Sequence, residues 1–424
     1  SKHNKPYARV SDYYAGRSVF ITGGTGFLGK VIIERLLYNC TEIENIFVLI
    51  RPKKGVSTVY KRFPYKKFQL FTKLKQRRPD DLKKIIPVEG DMTAPQLGIK
   101  SYDQETLINK VSVVFHSAAT VRFADTFKET MDANVGGTRK VLNLSKKIKN
   151  IDKFVYISTA YSNSDRLIID EVLYQPSEKM KEIDKYYEKI LMQKYFTDDV
   201  PNIYAVSKAL CEHIVSTERG SMPLIMVRPS IVTPILKEPL PGWADTWIAA
   251  TAIYSDMARG VMTIMYGNDK NVCDLVPVDY LCNFIIVAAA QKIPRLYVMF
   301  IKTFLLPGSR VPNKVLQTES KLVARTTVFL CQYLPSILKD IGLIITGKKP
   351  RYDSRRSTLL RELMKPFSTT SWLIKSDNTQ ALIASLDEND KSIFFCNVAD
   401  IDWEKYMQTF CLGVKKYLVD GKVK

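Results

Sequence analysis

Short apolar runs alternate with longer amphipathic stretches over about the first 290 residues of the chain. Six runs rich in β-branched and aromatic residues predict β-strands, namely Ser18–Thr22, Asn45–Ile50, Ile85–Glu89, Ser112–His116, Lys153–Ser158 and Pro223–Arg228. Segments with helical periodicity separate these runs, and strands that alternate with helices form parallel sheets with helices on both faces. We therefore expect an α/β domain with a doubly wound parallel sheet.

The hydrophobic pattern changes after this region. Ile301–Asn313 reads as a connector with Pro and Gly, and Leu322–Gly347 is an apolar segment interrupted by Pro335 and by the pair Lys339-Asp340. The rest of the chain carries helical patterns. These shifts predict a sheet domain over residues 1–300, a connector over 301–360 and a small, mainly helical C-terminal domain over 361–424.

The composition indicates a folded chain with an anionic partner. Of the 424 residues, 46% are hydrophobic and 25% are charged, and the net charge is +20. Much of this charge lies in Arg51–Lys84, where there are thirteen Lys and Arg but only two Asp. Such an excess indicates a phosphorylated ligand, a membrane surface or a nucleic acid.

Cysteine and histidine usage argues against a metal site. The seven Cys show no C-x-x-C spacing and the three His are scattered, so we expect no zinc site, no disulfide framework and a reducing compartment. No stretch reaches 18 uncharged apolar residues, and a single-pass transmembrane helix is therefore not expected.

A glycine-rich turn follows the first predicted strand. The run Thr22-Gly23-Gly24-Thr25-Gly26-Phe27-Leu28-Gly29 precedes an amphipathic helical pattern. Glycines at these spacings allow a tight turn, let the backbone approach a pyrophosphate and permit close packing of helix on strand. The helix N-terminus adds N–H groups and the positive end of a dipole. The turn predicts a dinucleotide site in a Rossmann-type fold.

The residue after the second predicted strand bears on which dinucleotide binds. An acidic residue there would accept a hydrogen bond from a ribose 2′-hydroxyl, but this chain has Arg51, whose guanidinium suits a 2′-phosphate. We therefore expect NADPH. Asp91, after the third strand, is placed to accept from the adenine amine. His116 is expected to be a packed residue at the end of a strand.

Candidate proton chemistry lies further along the chain. Tyr204 and Lys208 are four residues apart on a predicted helix and so share a face. An ammonium beside a phenol favours phenolate, so we expect Lys208 to lower the pKa of Tyr204 and help it exchange a proton with a carbonyl oxygen. Thr159, after the fifth strand, offers a second hydroxyl to that oxygen, with Ser158 as the alternative.

The motifs T-G-x-x-G-x-x-G and Y-x-x-x-K together resemble an extended short-chain dehydrogenase/reductase. Further stretches resemble fatty acyl-CoA reductases of the insect type: Tyr14–Arg17, Leu49–Lys53, His116–Phe123, Ile157–Asn163, Val227–Val232, Pro241–Trp243, Phe367–Trp372 and Ile401–Tyr406. The resemblance covers nearly the whole chain. It implies NADPH-dependent reduction of a long-chain acyl-CoA to the fatty alcohol through an enzyme-held aldehyde.

The resemblance also implies a role for each matching residue. The implied catalytic residues are Tyr204 as general acid, Lys208 as its pKa partner and Thr159 as hydroxyl donor. The implied cofactor contacts are Gly23, Thr25, Gly26, Phe27, Leu28 and Gly29 at the pyrophosphate, Arg51 at the 2′-phosphate, Asp91 at the adenine, Lys208 at the ribose, Tyr204, and Pro229 and Ile231 under the nicotinamide.

Two stretches differ from the simplest pattern of such reductases. Ser162–Val200 contains an insertion that we interpret as a lid or substrate cover, or else as a surface excursion. Ile301–Thr318 lacks the Tyr-Asn strand and the Asn-Pro-x-x-Trp-like stretch of the family. The last strand of the sheet, the wall of the substrate pocket and catalytic competence are therefore left open.

Two segments are candidates for membrane contact. Lys53–Lys84 interleaves aromatic and basic residues, which suits an interfacial segment, a phosphate-rich ligand or a solvated helix pair. Leu322–Gly347 suits a helix in the membrane interface or a buried helix pair. We expect no nucleic-acid partner, and peripheral contact with a cytosol-facing membrane of the endoplasmic reticulum, the peroxisome or a lipid droplet.

Three functions remain open from the sequence. The first is an acyl-CoA reductase, the second is another extended reductase such as a sugar epimerase or steroid dehydrogenase, and the third is a non-catalytic, membrane-associated relative. The C-terminal module with Trp372 and Trp403 favours the first over the second.

Overall fold

The computed structural model describes most of the chain. The described residues are 9–52, 68–121, 125–175, 203–247, 250–258, 262, 264–268, 270–292, 296–301, 303–304, 316–347 and 365–420. Their strands are β1 (Ser18–Thr22), β2 (Asn45–Ile50), β3 (Ile85–Glu89), β4 (Val111–His116), β5 (Lys153–Ile157), β6 (Ile168–Ile169), β7 (Leu224–Pro229), β8 (Ile231–Thr233), β9 (Ile264–Tyr266), β10 (Asp274–Pro277), β11 (Leu296–Ile301), β12 (Thr303–Phe304), β13 (Leu316–Thr318) and β14 (Leu373–Ile374).

Helices lie between and after these strands. They are α1 (Val10–Tyr14), α2 (Phe27–Asn39), α3 (Thr72–Arg77), α4 (Ser101–Lys110), α5 (Phe127–Met131), α6 (Gly137–Ser145), α7 (Ile203–Glu218), α8 (Ala250–Ala258), α9 (Val278–Ala290), α10 (Lys321–Val328), α11 (Leu334–Ile345), α12 (Asp377–Ala384), α13 (Glu388–Ile393) and α14 (Trp403–Gly413). A π-helical turn at 132–136 joins α5 to α6, and another at 329–333 joins α10 to α11.

A seven-stranded sheet forms the centre of the molecule. Its strand order is β11-β7-β5-β4-β1-β2-β3, and every neighbouring pair is parallel. The order reverses between β1 and β4, which is the switch point at which doubly wound sheets bind ligands. The predicted α/β fold is confirmed, and the six predicted strands are present with bounds that differ by at most one residue at an end.

The sheet is buried on both faces. Val19 and Ile21 belong to one hydrophobic cluster and Phe20 to another, because successive side chains of a strand point to opposite faces. Helix α9 lies in the first cluster with all of its residues buried. A helix that is apolar nearly all round suits such a position, and the double burial explains why the strands read as continuous hydrophobic runs.

The sheet has a last strand that the sequence left open. β11 pairs with β7 from Leu296↔Leu224 to Ile301↔Pro229 and forms one edge of the sheet. Val298, Met299, Phe300 and Ile301 are buried. The burial of these side chains stabilises β11 in the sheet, although the sequence after β11 departs from the family pattern.

The C-terminal helices are attached directly to the edge of the sheet. One carboxylate oxygen of Glu171 accepts a bond from the backbone N of Phe300 in β11 (2.9 Å), and the other accepts from the backbone N of Asn378 at the start of α12 (2.5 Å). Asn378 Nδ2 donates back to the carbonyl of Val298 (3.0 Å). Strands β14 and β6 add a short parallel pair. The two parts of the chain therefore share hydrogen bonds as well as packing.

A second attachment depends on two glycines. Gly242 has φ +75°, and a Cβ at Gly242 would lie 2.7 Å from the carbonyl oxygen of Thr409 in α14. A Cβ at Gly413 would overlap the carbonyl oxygen of Gly242. Near this contact Tyr406 donates to the carbonyl of Pro234 (2.7 Å). Helix α14 can approach the 240–243 loop this closely only because both positions lack a side chain.

The helix from α10 to α11 projects an apolar surface. Among its side chains that the structure describes, only Ala324 is buried. The alternative of a buried helix pair for Leu322–Gly347 is therefore wrong. No helix within the described ranges is long and apolar enough to cross a membrane.

The basic segment Lys53–Lys84 is only partly described, and residues 53–67 lie outside the described ranges. In the remainder, Leu70, Phe71 and Leu74 are fully buried in the first hydrophobic cluster. These three side chains face neither a membrane nor solvent, so the alternatives of an interfacial segment and of a solvated helix pair are wrong for this part of the segment. The three alternatives stay open for the stretch 53–67, which lies outside the described ranges.

The glycine contact gives a stability prediction. We expect Gly413→Ala to lower the free energy of unfolding by about 1–3 kcal/mol, because the added methyl group must push α14 away from the 240–243 loop. The matched control is Gly342→Ala in α11, where no atom lies within 4 Å of a Cβ and helix propensity should add about 0.5–1 kcal/mol. Denaturant unfolding of both variants measures the difference. Equal midpoints for Gly413→Ala and the unmutated protein would contradict the contact.

Candidate functional site

The candidate residues lie at one edge of the central sheet. The glycine turn follows β1, Arg51 follows β2, Asp91 follows β3, Thr159 follows β5, and Pro229 ends β7. Since all these strands are parallel, their carboxyl ends lie at the same edge. Ligands of doubly wound sheets bind in the crevice outside this edge.

The glycine turn has the geometry that a pyrophosphate requires. Gly23 has φ +74°, and a Cβ there would lie 2.8 Å from the backbone N of Ala118. A Cβ at Gly29 would overlap the carbonyl oxygen of Gly23. Gly26 is the N-cap of α2 and supplies no side-chain cap, so the first N–H groups of this helix remain for a ligand. The turn therefore fits the phosphates of a dinucleotide.

The other residues of the turn sit at its rim. Thr25 is exposed, whereas Phe27 and Leu28 are half-buried. The Phe27 ring stacks on Trp243 with centroids 5.6 Å apart, and Lys30 pairs with Asp245 two residues further along that loop. The 240–245 loop, which also contacts α14, thus covers the start of α2.

Arg51 and Asp91 are brought together by the neighbouring strands β2 and β3. Arg51 Nε lies 3.0 Å from Asp91 Oδ2, and Asp91 Oδ1 accepts from the backbone N and the hydroxyl of Thr93, both at 2.9 Å. The Arg51 side chain is about half exposed (56%), so it can contact a ligand while it pairs with Asp91. The predicted contacts with a 2′-phosphate and with adenine stay predictions.

Helix α7 carries the Tyr-Lys pair. Lys208 is buried and donates to the carbonyl oxygen of Ile157 at the end of β5 (2.7 Å), and its Nζ lies 6.0 Å from the centroid of the Tyr204 ring. Burial lowers the pKa of Lys208 to about 8. These contacts place the pair against the strand that leads to Thr159.

The expected direction of the Tyr204 pKa is wrong for this arrangement. Burial raises the pKa of Tyr204 well above its usual value, with Cys211 as a smaller cause. Desolvation of the phenolate exceeds the attraction of an ammonium whose hydrogen bond is directed at Ile157. Tyr204 is consequently a neutral phenol, which is the form that can donate a proton.

Thr159 and Ser158 differ in what they contact. Thr159 Oγ1 accepts from the backbone N of Tyr161 (3.4 Å) as the N-cap of a short 3₁₀ turn over Ala160–Asn163. Ser158 donates instead to the buried carboxylate of Glu212 (2.5 Å).

Pro229 ends β7, and Ile231 is buried in β8. The roles that the resemblance implies for Thr159, Pro229 and Ile231 stay predictions.

His116 is a packed residue, as expected. Its Nδ1 lies 2.6 Å from Thr22 Oγ1 and its Nε2 lies 2.9 Å from Thr138 Oγ1. Burial lowers the pKa of His116 to about 3, with Lys208 as the smaller cause. The imidazole is therefore neutral at physiological pH.

Sequence reasoning missed Asn134. This buried residue lies in the π-helical turn between α5 and α6, where its Oδ1 accepts from the backbone N of Thr120 (2.7 Å) and its Nδ2 donates to Ser207 Oγ in α7 (2.9 Å). It therefore links the loop after β4 to the helix with Tyr204. The signal in the sequence was the position of Asn134 directly before the small and apolar run Val135-Gly136-Gly137.

Comparison with known proteins covers both parts of the chain. Residues 21–285 match an NAD-binding family model described as male sterility protein, and residues 331–420 match a second model of that description. Fatty acyl-CoA reductase 1 of Xenopus laevis is 33% identical over 450 residues, which cover 98% of this chain and 87% of that protein. Fatty acyl-CoA reductase 1 of Homo sapiens is 31% identical with the same coverage.

Solved structures share the fold. The terminal R domain of the myxalamid PKS-NRPS biosynthetic pathway has a TM-score of 0.62 at 19% identity, covering 97% of this chain and 92% of that one. The reductase domain of the aureusimine biosynthetic cluster has a TM-score of 0.59 at 14% identity, with 95% and 92% covered. The parallel sheet and the appended helices therefore follow an arrangement found in these reductase domains.

Proposed function

Because this chain belongs to the fatty acyl-CoA reductase family, we propose that it reduces a long-chain fatty acyl-CoA to the fatty alcohol with a nicotinamide cofactor. One observation carries the proposal: the glycine turn, the Tyr204-Lys208 pair and Thr159 all lie at the carboxyl edge of one parallel sheet. The family matches on both parts of the chain remove the grounds for a sugar epimerase or a steroid dehydrogenase.

Different residues of the chain would bind different parts of the cofactor. The N–H groups at the start of α2 would hold the pyrophosphate, Lys208 the ribose, and Pro229 and Ile231 would lie under the nicotinamide. A nicotinamide cofactor held by these residues would be the hydride source for both reductions, first of the thioester carbonyl carbon and then, after exchange of the oxidised cofactor, of the aldehyde. The balanced reaction consumes two hydrides and two protons per acyl-CoA and releases the alcohol and the free thiol of CoA.

Proton transfer falls to the side chains at the end of β5 and on α7. Tyr204, a neutral phenol whose pKa burial raises further, donates a proton to the carbonyl oxygen as negative charge develops there. The Thr159 hydroxyl donates a hydrogen bond to the same oxygen and so stabilises that charge. Lys208 keeps β5 and α7 together through the Ile157 carbonyl.

A pair of tyrosine variants tests this function. We expect Tyr204→Phe to lower kcat for palmitoyl-CoA by about 10²–10⁴-fold while cofactor binding stays nearly intact, because only the proton donor is removed. Lys208→Ala should lower kcat and also weaken cofactor binding. Tyr280→Phe is the matched control, since the buried Tyr280 hydroxyl has no hydrogen-bond partner among the residues that the structure describes. NADPH oxidation and cofactor titration measure the two effects, and near-normal turnover by Tyr204→Phe would show that the proton comes from elsewhere.

NADPH is the proposed cofactor because the residue that follows β2 is the half-exposed Arg51 rather than an acidic residue. The ion pair with Asp91 orients this guanidinium at the carboxyl ends of β2 and β3.

The cofactor preference is tested at Arg51. We expect Arg51→Ala to weaken NADPH binding by about 1–3 kcal/mol and to leave NADH binding almost unchanged, because only the bond to the 2′-phosphate is lost. Arg77→Ala is a control, because Arg77 contacts Tyr38 instead. Cofactor titration of the three proteins measures both affinities. Equal affinity of the unmutated protein for NADPH and NADH would contradict the preference.

Peripheral attachment to a cytosol-facing membrane is part of the proposal, and it rests on the helix from α10 to α11. This helix holds ten of the eighteen large hydrophobic side chains that are exposed in the described residues, namely Leu322, Val323, Phe329, Leu330, Leu334, Ile337, Leu338, Ile341, Ile344 and Ile345. Those in α11 recur at spacings of three and four, so they share one face. An exposed apolar face of this kind is typical of helices that lie in a membrane interface.

Charge next to this helix favours an anionic lipid surface as the partner. Residues 348–365, which follow α11 in the sequence, contain seven Lys and Arg but only two acidic residues. Basic residues beside an apolar anchor contribute about 1 kcal/mol each on an anionic membrane. The fatty substrate and product also partition into lipid, so attachment would bring the enzyme to them.

Two single-charge variants test the attachment. We expect the unmutated protein to float with liposomes that contain phosphatidylserine, and Ile344→Asp to reduce flotation strongly because a carboxylate enters the apolar face. Thr346→Asp is the matched control, because it adds the same charge to the same end of the helix but off that face. High salt should weaken binding only in part, since screening acts on the basic residues. A protein that stays soluble with these liposomes at low salt would contradict the attachment.

A further inference from the structure

Glu212 is a buried carboxylate that the proposed chemistry does not use. It lies on α7, four residues after Lys208 and therefore on the same face of the helix. Its Oε1 accepts from Ser158 Oγ (2.5 Å) and Arg228 Nε (2.8 Å), and its Oε2 accepts from Arg228 Nη2 (2.6 Å). The single proton of Ser162 Oγ is shared between Glu212 Oε1 (2.9 Å) and the carbonyl oxygen of Thr159 (3.0 Å). Both oxygens of this buried carboxylate are therefore bound by side chains from outside α7.

These bonds enclose the short turn that carries Thr159. Lys208 binds the carbonyl of Ile157, the residue before Ser158, while Glu212 binds Ser158 and Ser162. Two successive turns of α7 thus bind the backbone of Ile157 and the side chains of Ser158 and Ser162, on both sides of Thr159. The helix that carries Tyr204 therefore also determines where the Thr159 hydroxyl lies.

The same bonds distinguish Ser158 from Thr159. A serine hydroxyl has one proton, and Ser158 gives its proton to Glu212. In the described part of the chain the Thr159 hydroxyl accepts from Tyr161 N and donates to no other group, so its proton remains for a ligand. Ser158 is consequently part of the support, whereas Thr159 can face the substrate.

Arg228 binds Glu212 and also connects it to the segment around Glu171. Its side chain is fully buried in β7, where it balances the charge of Glu212. Its Nη1 donates to the carbonyl of Val172 (3.0 Å), in the segment where Glu171 binds the start of α12. A buried pair of this kind is costly to break, because removal of one partner leaves the other charge uncompensated.

We propose that Glu212, held by Arg228, is a positioning residue that aligns the Thr159 hydroxyl with Tyr204 for proton transfer, and that Ser158 acts only through Glu212. The inference deepens the proposed reductase function and rests on it for its kinetic part. It concerns the turn at 158–163 and not the binding of the cofactor, whose predicted contacts lie mainly in the glycine turn and at Arg51.

Kinetics of four variants test the proposal. We expect Glu212→Gln to lower kcat at least about 30-fold, with KM for palmitoyl-CoA and the dissociation constant of NADPH within about threefold of the unmutated values, because orientation and not binding is lost. Thr159→Ala should lower kcat by about 10²–10³-fold and Ser158→Ala by less than about tenfold. Val215→Ala, a core truncation on the same helix, is the control for lost stability and should keep kcat within about threefold below its unfolding temperature.

Coupling between Ser158 and Glu212 supplies a second readout that needs no turnover. If Ser158 acts through Glu212, the loss of thermal stability in the double variant Ser158→Ala/Glu212→Gln should be smaller than the sum of the two single losses. Ser158→Ala and Val215→Ala should be additive. Should Glu212→Gln fail to fold, Ser162→Ala replaces it in both experiments.

The outcomes separate the two proposals. A loss of kcat in Ser158→Ala equal to that in Thr159→Ala, a normal kcat in Glu212→Gln, or additive stability losses would overturn the positioning role. If the unmutated protein reduces neither palmitoyl-CoA nor palmitaldehyde, the proposed function fails instead, and the stability coupling alone decides whether Glu212 and Ser158 act as one unit.

Discussion

The hydrogen bond from the buried Lys208 ammonium to the Ile157 carbonyl is the interaction on which the geometry of the site depends. A buried ammonium is tolerated only if it has an acceptor, so this bond fixes α7 against the carboxyl end of β5. Burial also keeps the neighbouring His116 neutral, so Lys208 does not face a second positive charge there. Asn134 adds a further link to α7 through Ser207. Tyr204 is thereby carried to the same edge of the sheet as the glycine turn.

The outer strand β11 anchors the C-terminal helices, whereas the carboxyl ends of the strands carry the candidate site. Glu171 binds β11 and the N-terminus of α12 at the same time, although burial raises the pKa of its carboxyl group. Arg228 binds the backbone beside Glu171 and, through Glu212, the turn with Thr159. A continuous series of hydrogen bonds therefore runs from the C-terminal helices to the candidate catalytic residues.

The sequence predicted those features that depend on local pattern. Strands β1 to β5 and β7 follow from runs of β-branched residues, and the glycine turn follows from spacing alone. Burial was not readable: Phe71 stands among basic residues yet packs in the core, and β11 precedes a stretch without the family pattern. The direction of the Tyr204 pKa was missed for the same reason, because desolvation depends on atoms distant in sequence. Asn134 was missed because a π-helical turn has no simple periodicity.

The contact between Gly242 and Gly413 has a consequence for how such chains can be recombined. The 240–245 loop contacts the start of α2 through Trp243 and Asp245, and it contacts α14 through Gly242. A side chain at either Gly242 or Gly413 would displace the other segment. A truncation before α14 would therefore expose the backbone at Gly242, which α14 covers in the complete fold. A chimera that takes its C-terminal helices from a relative must inherit the 240–245 loop from the same parent.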